Sequence, residues 1–430
     1  MSSDWSKVYL QDVANEITVG FVGSMTKEYQ AEGIPFLRSL NVNRFRINNN
    51  DLRYVSKEFH KKISKSRLTP GDVVIVRTGK PGTAAVIPDD LSEANCSDLV
   101  IVRCGEKIDN KFLCYFLNSS AIAHINAHLV GAVQQHFNVS SARTLEINLP
   151  PLKEQKAIAH ILGTLDEKIE LNKKNNKTLE EISKALFKSW FINFDPVRAK
   201  AEGRSTGLPD EISNLFPDSF EDSELGFIPE GWEISKLGDL VFPCGESIKS
   251  SKEINTQPYV PIDCITSKSL TLKEYKTGSE AKSSLIRFRK GDILFGAMRP
   301  YFHKVCIAPF DGITRSTCIP LRQIEASFHA FSTLIVSNKE TIEYATQNST
   351  GSTIPYIKWK DNLENMKIIK PPKPISKCFD NIIVPILEKF CSSIFIQKNL
   401  IEIRDALLPK LISGELKIPD AEKMIEEIGI

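Results

Sequence analysis

The run PPLKEQKAIAHILGTLDEKIELNKKNNKTLEEISKALFKSWF, residues 150–191, decides how the rest of the chain is read. Beyond Pro150-Pro151 it contains no proline and a single glycine, Gly163, and its apolar residues fall at helical spacing. Alternating steps of four and three select Ile158, Leu162, Leu165, Ile169, Asn172, Asn176, Leu179, Ser183 and Leu186, an apolar seam with a polar centre. Such a helix would span roughly 60 Å at about 1.5 Å per residue, longer than one globule needs on its surface. A partner helix is therefore expected. Asparagine in a seam costs stability but fixes register and partner, the role assigned to Asn172 and Asn176; an ordinary amphipathic helix with a wet centre is the alternative.

The partner comes later in the chain. Pro371-Pro372 precedes a second seam, Ile383, Leu387, Phe390, Ile394, Gln397, Ile401, Arg404 and Leu408. Pro385 is expected in its first turn, where a missing N–H costs little, and Pro409 should kink or end the helix near Ser413-Gly414. Other landmarks recur in the same order. Gly71-Asp72-Val73-Val74-Ile75 returns as Gly291-Asp292-Ile293-Leu294-Phe295, and Gly131-Ala132-Val133 as Gly351-Ser352-Thr353. With the Pro-Pro pair the offsets are 220, 220 and 221 residues, while Trp5 and Trp232 are 227 apart. A period of that length is a whole domain plus its connection, so the chain reads as an internal duplication.

The expected architecture is mixed α/β: two similar globular domains and two long, antiparallel, coiled-coil-like helices related by a pseudo-two-fold axis. Residues 1–149 form the first domain, with β-rich runs at 72–77 and 98–103 and a helical pattern over 111–130. The long helix takes 150–193. Residues 194–230, with four prolines and an acidic bias, read as a linker that wraps back along the helix without a core of its own. The second domain occupies 231–371 and the C-terminal helix 372–430.

Composition narrows the class. The chain has 430 residues, 41% hydrophobic and 25% charged, and no run approaches the length of a membrane span, so a cytoplasmic protein is expected. Nine scattered cysteines without a Cys-x-x-Cys pair read as reduced thiols. The net charge is only +2, but residues 38–67 hold nine Lys or Arg against Asp51 and Glu58. Such density suits a phosphate backbone; a solvated loop face would look the same.

Residues 150–191 resemble the central conserved region of the specificity subunit of type I restriction-modification enzymes. FDPVRAKAEGRSTGLPDEISNLFPDSFEDSELGFIPEGW (194–232) and LIEIRDALLPKLISGELKI (400–418) are similar to further segments of that family. The resemblance covers the chain in domain order. It implies a non-catalytic subunit whose two target-recognition domains each read one half of a split site in duplex DNA, while the helices set the unread gap. It also implies docking to two methyltransferase subunits that modify adenine with S-adenosylmethionine, and to restriction subunits using ATP and magnesium, for defence against foreign DNA. This chain would bind no cofactor itself. One departure is visible: Pro371-Pro372-Lys373-Pro374 lacks the Glu-Gln that follows the first Pro-Pro-Leu, so the start of the second helix should differ.

Motifs for independent chemistry are missing. His124 and His128 lack the glutamate of a zinc-binding His-Glu-x-x-His, and Gly79-Lys80 lacks the rest of a phosphate-binding loop. No Gly-x-Ser-x-Gly elbow occurs, and Leu149-Pro150-Pro151-Leu152 lacks both ends of the tetrapeptide that amino-methyltransferases use. A protein-interaction scaffold with lost or altered DNA recognition is the alternative class.

Base reading needs Arg, Lys, Asn, Gln, Ser or Thr on exposed elements, with cations for phosphates. In the first domain the candidates are Arg38, Ser39, Asn41, Asn43, Arg44 and Arg46, the pair Lys61 and Lys62, then Arg77, Thr78 and Lys80, then Gln134, Gln135 and His136. In the second they are Thr266 and Lys268, then Arg299, Tyr301 and His303, then Thr350, Ser352, Thr353 and Tyr356.

Overall fold

The computed structural model describes residues 5–127, 136–248, 254–272, 274–281 and 285–427. It divides into unit 1, residues 1–169 with 400–430, and unit 2, residues 170–399.

In unit 1, Ser6–Tyr9 pairs with Glu146–Leu149 and stitches the start of the domain to its end. The central sheet is antiparallel with order Ala84–Val86, Val73–Val76, Leu99–Cys104, Ala14–Val19. Val73–Val76 is entirely buried, as a continuous apolar run flanked by two strands should be. Its residues alternate between two cores: Val73 and Ile75 face a helical core with Phe112 and Leu162, Val74 and Val76 a second core with Leu37 and Ala94.

Unit 2 repeats this plan. Glu233–Lys236 pairs with Lys367–Lys370, and the four-stranded sheet has the order Val305–Ile307, Ile293–Gly296, Cys318–Gln323, Val241–Pro243. Each unit also carries a five-stranded sheet built on one parallel pair, Ile34–Leu37 with Ala94–Cys96 in unit 1 and Pro258–Tyr259 with Gly312–Arg315 in unit 2. Among the described residues the outermost strand is what differs. Tyr29–Gln30 extends the sheet beyond Arg53–Val55, whereas Ser247–Ile248 extends it at the opposite edge, beyond Leu285–Phe288. The duplication is thus present in strand order and not merely in landmarks.

The repeated Gly-Asp has a defined job. Gly71 and Gly291 sit at φ +89° and +86°, the left-handed region that glycine enters freely. The following aspartate closes the turn, Asp72 accepting from Thr69 N at 2.9 Å and Asp292 from Arg289 N at 2.7 Å. It then faces an arginine on the neighbouring strand: Asp292 takes a two-pronged bond from Arg322 at 2.7 and 2.8 Å, and Asp72 lies 3.8 Å from Arg103. Arg103 and Arg322 belong to the repeat as well, a signal the landmarks did not include.

The first long helix is Leu152–Phe191 and the second Lys373–Ser413. Within unit 1, Ile158, Leu162, Leu165 and Ile169 of the first are buried with Leu400 and Leu408 of the second, and Ile401 packs beside them. Within unit 2, Phe187 and Phe191 meet Phe379, while Asn176 lies with Ile394 and Gln397, so the helices run antiparallel. Leu179 and Leu186 are half-buried there, and Ile383, Leu387 and Phe390 are buried. The seam is wet at its centre, with Asn172 and Asn176 half-buried.

Four expectations change. Pro385 lies in the helix interior rather than its first turn, because the helix already starts at Lys373 and Pro374 takes the tolerant position. The C-terminal region is not one helix: it stops at Ser413, turns at Gly414 with φ +74°, and resumes as Ile418–Glu427. The supposed linker is an arm of unit 2, since Phe194, Val197 and Phe216 join its core and Phe194 meets Trp232 edge-on at 5.5 Å. The helical pattern expected over 111–130 is two helices, Asn110–Leu117 and Ile122–Ala127, broken where Asn118 turns its amide onto Ala84 O and Cys114 O; residues 128–130 lie outside the described residues.

The missing Glu-Gln also has a physical counterpart. Gln155 is buried and accepts from Asp109 N while donating to Lys107 O and Pro150 O, locking the first helix onto its domain. The corresponding Ser376 is buried with its hydroxyl unpartnered among the described residues.

Candidate nucleic-acid interface

In unit 1 two of the candidate clusters form opposite walls of one cleft of about 670 Å³. One wall is the loop after Val73–Val76. Arg77 bonds Asp98 at 2.9 Å and Phe137 O at 3.2 Å, and Thr78 bonds the other Asp98 oxygen at 2.6 Å. The base of the loop is braced by these bonds, leaving Gly79 and Lys80 exposed. The other wall carries Arg38, Ser39 and Asn43, with Arg38 held to Asp51 at 2.9 Å. Ser39 is half-buried and Asn43 exposed.

One candidate in this region, Asn41, has structural partners instead, while Arg44 and Arg46 stay exposed. Asn41 is fully buried, its oxygen accepting from Arg38 N and its amide donating to Asn48 O and Asn50 O, so it shapes the loop and cannot reach a base. Arg44 bonds Asp405 of the second long helix at 3.3 Å and Asn118 O at 3.1 Å. Arg46 is exposed at the surface, although partial desolvation lowers its guanidinium from the ordinary value, with Asp166 opposing this and Arg404 adding to it. Between them, Phe45 packs on Tyr115 at 5.0 Å and lies under Arg404 at 4.8 Å. Arg404 in turn bonds Asp166 of the first long helix at 2.6 Å, and Tyr115 donates to the same carboxylate at 2.6 Å. The loop of residues 42–47 is therefore seated on the long helices.

Lys61 and Lys62 are exposed on the short helix Lys57–Lys62, capped by Ser56, and do not line the cleft. Gln134 and Gln135 lie outside the described residues. His136 is half-buried and next to Phe137, whose N–H bonds Arg77 O at 3.0 Å.

In unit 2 the three candidate segments meet. The loop of residues 299–303 joins Ile293–Gly296 to Val305–Ile307, the place that 77–83 holds in unit 1. On one side Arg299 N bonds Pro355 O at 2.7 Å; on the other Lys268 N bonds His303 O at 2.7 Å and Ser267 Oγ bonds Phe302 O. Thr350 and Tyr356 pair by reciprocal backbone bonds of 2.9 Å, which puts Ser352 and Thr353 at an exposed tip. Tyr356 donates its hydroxyl to Ser316 O and is a brace. His303 is bonded through Nε2 to Ser337 O at 2.8 Å; burial lowers its pKa, Lys184 and Lys268 add to the shift, and the Ser337 carbonyl opposes it. Tyr301, Lys268 and Thr350 are exposed, and Thr266 and Arg299 half-buried.

The first long helix holds this assembly. Glu180, buried, accepts from Leu270 N at 2.9 Å and Ser269 Oγ at 2.7 Å, and Lys184 donates to Lys268 O at 2.9 Å. Tyr275 accepts from Lys398 of the second helix at 2.8 Å. These anchors carried no signal in sequence, because a Glu and a Lys four apart on a helix look like surface charge.

Comparison with known proteins agrees with this duplicated plan. The family profile described as the type I restriction modification DNA specificity domain matches residues 2–181 and 229–404. The chain belongs to that family. It is 26% identical to the type I restriction enzyme MjaIX specificity subunit of Methanocaldococcus jannaschii over 97% of this chain and 94% of that protein. With the HindI specificity subunit of Haemophilus influenzae the identity is 29%, over 64% of this chain and 70% of the relative. The fold is shared with the crystal structure of the S subunit from M. genitalium, at TM-score 0.57 and 15% identity, covering 95% and 96% of the two chains. Among the described residues no helix is long and apolar enough to cross a membrane.

Proposed function

We propose that this chain is the sequence-specific DNA-binding specificity subunit of a type I restriction-modification complex, with unit 1 and unit 2 each reading one half of a two-part duplex site. One observation carries the division of labour: equivalent loops of a duplicated scaffold carry different exposed residues, Gly79 and Lys80 in one unit and Tyr301 and Phe302 in the other, each on a braced base. Direct readout needs a fixed base and a free tip. Domains 1–149 and 231–371, with the two long helices, follow from the same reading. The helices set the unread gap and dock two methyltransferase subunits, which supply S-adenosylmethionine chemistry, and restriction subunits with ATP and magnesium complete the assembly.

Binding of the methyltransferase-bound chain to its methylated motif and to scrambled duplex, followed across salt, tests this reading. Cognate duplex should bind at least a thousandfold tighter than scrambled. Lys61→Ala with Lys62→Ala should weaken both alike and flatten the salt dependence by a log–log slope of about 1.8 if both lysines touch phosphate. Equal affinity for the two duplexes would leave the scaffold reading in place.

A further inference from the structure

Three unusual features coincide in residues 299–303. Tyr301 and Phe302 are adjacent, 48% and 45% exposed, with rings edge to face at 4.8 Å. Arg299 and His303 on either side both have φ of 51°, a left-handed conformation that side-chain-bearing residues avoid and that surrounding structure must enforce. Arg299 Nε is buried without a hydrogen-bond partner among the described residues. Both rings stay exposed among the described residues. Its backbone is gripped from both sides, by Pro355 O at Arg299 and by Ser267 and Lys268 at Phe302 and His303, so the aromatic pair is held out in water rather than left loose.

A cation stands beside the loop. Lys268 is exposed there, while Lys184, behind it on the first long helix, is paired with Glu180 at 2.7 Å. A rigid aromatic tip with an exposed lysine beside it matches duplex DNA, whose phosphates attract the cation and whose base pairs offer flat apolar faces. The equivalent loop in unit 1, Arg77-Thr78-Gly79-Lys80, has no aromatic residue.

Resting on the DNA-reading role above, we propose that Tyr301 and Phe302 form a wedge that inserts between two base pairs of the half-site read by unit 2 and unstacks that step. Unit 1 reads its half without one. Unit 2 thereby selects partly by deformability, favouring a flexible pyrimidine–purine step where the wedge enters.

The test uses the full chain assembled with its methyltransferase partner. Duplexes of the mapped recognition site carry 2-aminopurine at successive positions of each half. Binding should raise fluorescence several-fold at one step in one half-site only. Tyr301→Ala with Phe302→Ala should abolish the rise and weaken cognate binding about ten- to a hundredfold, leaving scrambled-duplex binding and the salt slope unchanged. Phe302→Leu, which keeps an apolar tip, should retain most of the rise. The proposal is overturned by specific binding with no rise at any position, by a rise that survives the alanine pair, or by an alanine pair that loses the methyltransferase instead. A complex that shows no sequence preference at all defeats the DNA-reading role and the wedge together.

Discussion

Trp190→Ala is expected to destabilise unit 2 by about 3–5 kcal/mol, the range for truncating a buried large aromatic. Trp190 is 1% exposed, and its ring lies 5.1 Å from Phe216, 5.6 Å from Phe379 and 6.1 Å from Phe191. Those neighbours belong to three separate segments: the arm after the first helix, the second long helix and the first helix itself. Alanine would leave a void that none of them can close alone. Denaturant unfolding of the chain measures this. With two units, the transition belonging to unit 2 should move and the other should stay. Leu171→Ala, at a helix position 56% exposed, serves as the control and should change stability by less than about 0.5 kcal/mol. An equally small change at Trp190 would mean that the aromatic cluster is not the joint described.

Glu180→Ala is expected to act on recognition more than on folding. It strips Leu270 N and Ser269 Oγ of their acceptor, and a buried donor left unpaired costs about 1–3 kcal/mol. That cost falls on the loop bearing Thr266 and Lys268, which itself braces residues 299–303. Cognate affinity should drop about tenfold or more, with discrimination relaxed in one half of the site only. Glu180→Gln keeps an acceptor for Leu270 N and should recover part of it. Methylation rates on duplexes varied one position at a time would read this out. A uniform loss over both halves would make Glu180 a general stabiliser and not a positioning residue.

Much of the fold could be read before any coordinates. Both long helices carry a seam at helical spacing over about seven to eight turns, and the duplicated Gly-Asp strands announce themselves through glycines that must adopt positive φ. The arm of residues 194–230 could not be, because prolines and acidic residues mark a loop whether or not Phe194, Val197 and Phe216 find a neighbouring core. The interface was legible as segments but not as residues. Asn41 has the right chemistry for DNA yet is consumed by its own loop, while Arg44 stays exposed beside Asp405, a residue 361 positions away. Acidic residues are not sought in a DNA-binding surface, yet Asp98 bonds Arg77 and Thr78, and Glu180 anchors Ser269 and Leu270 next to Lys268.

On the proposed function, two copies of one scaffold read two halves of one site. Replacing residues 1–149 with the matching domain of a relative of different specificity, then sequencing methylated adenines made by the assembled complex, tests it most directly. One half of the recognised sequence should change to the relative's, while the other half and the gap between them stay as they were. A change in both halves, or in neither, would contradict it.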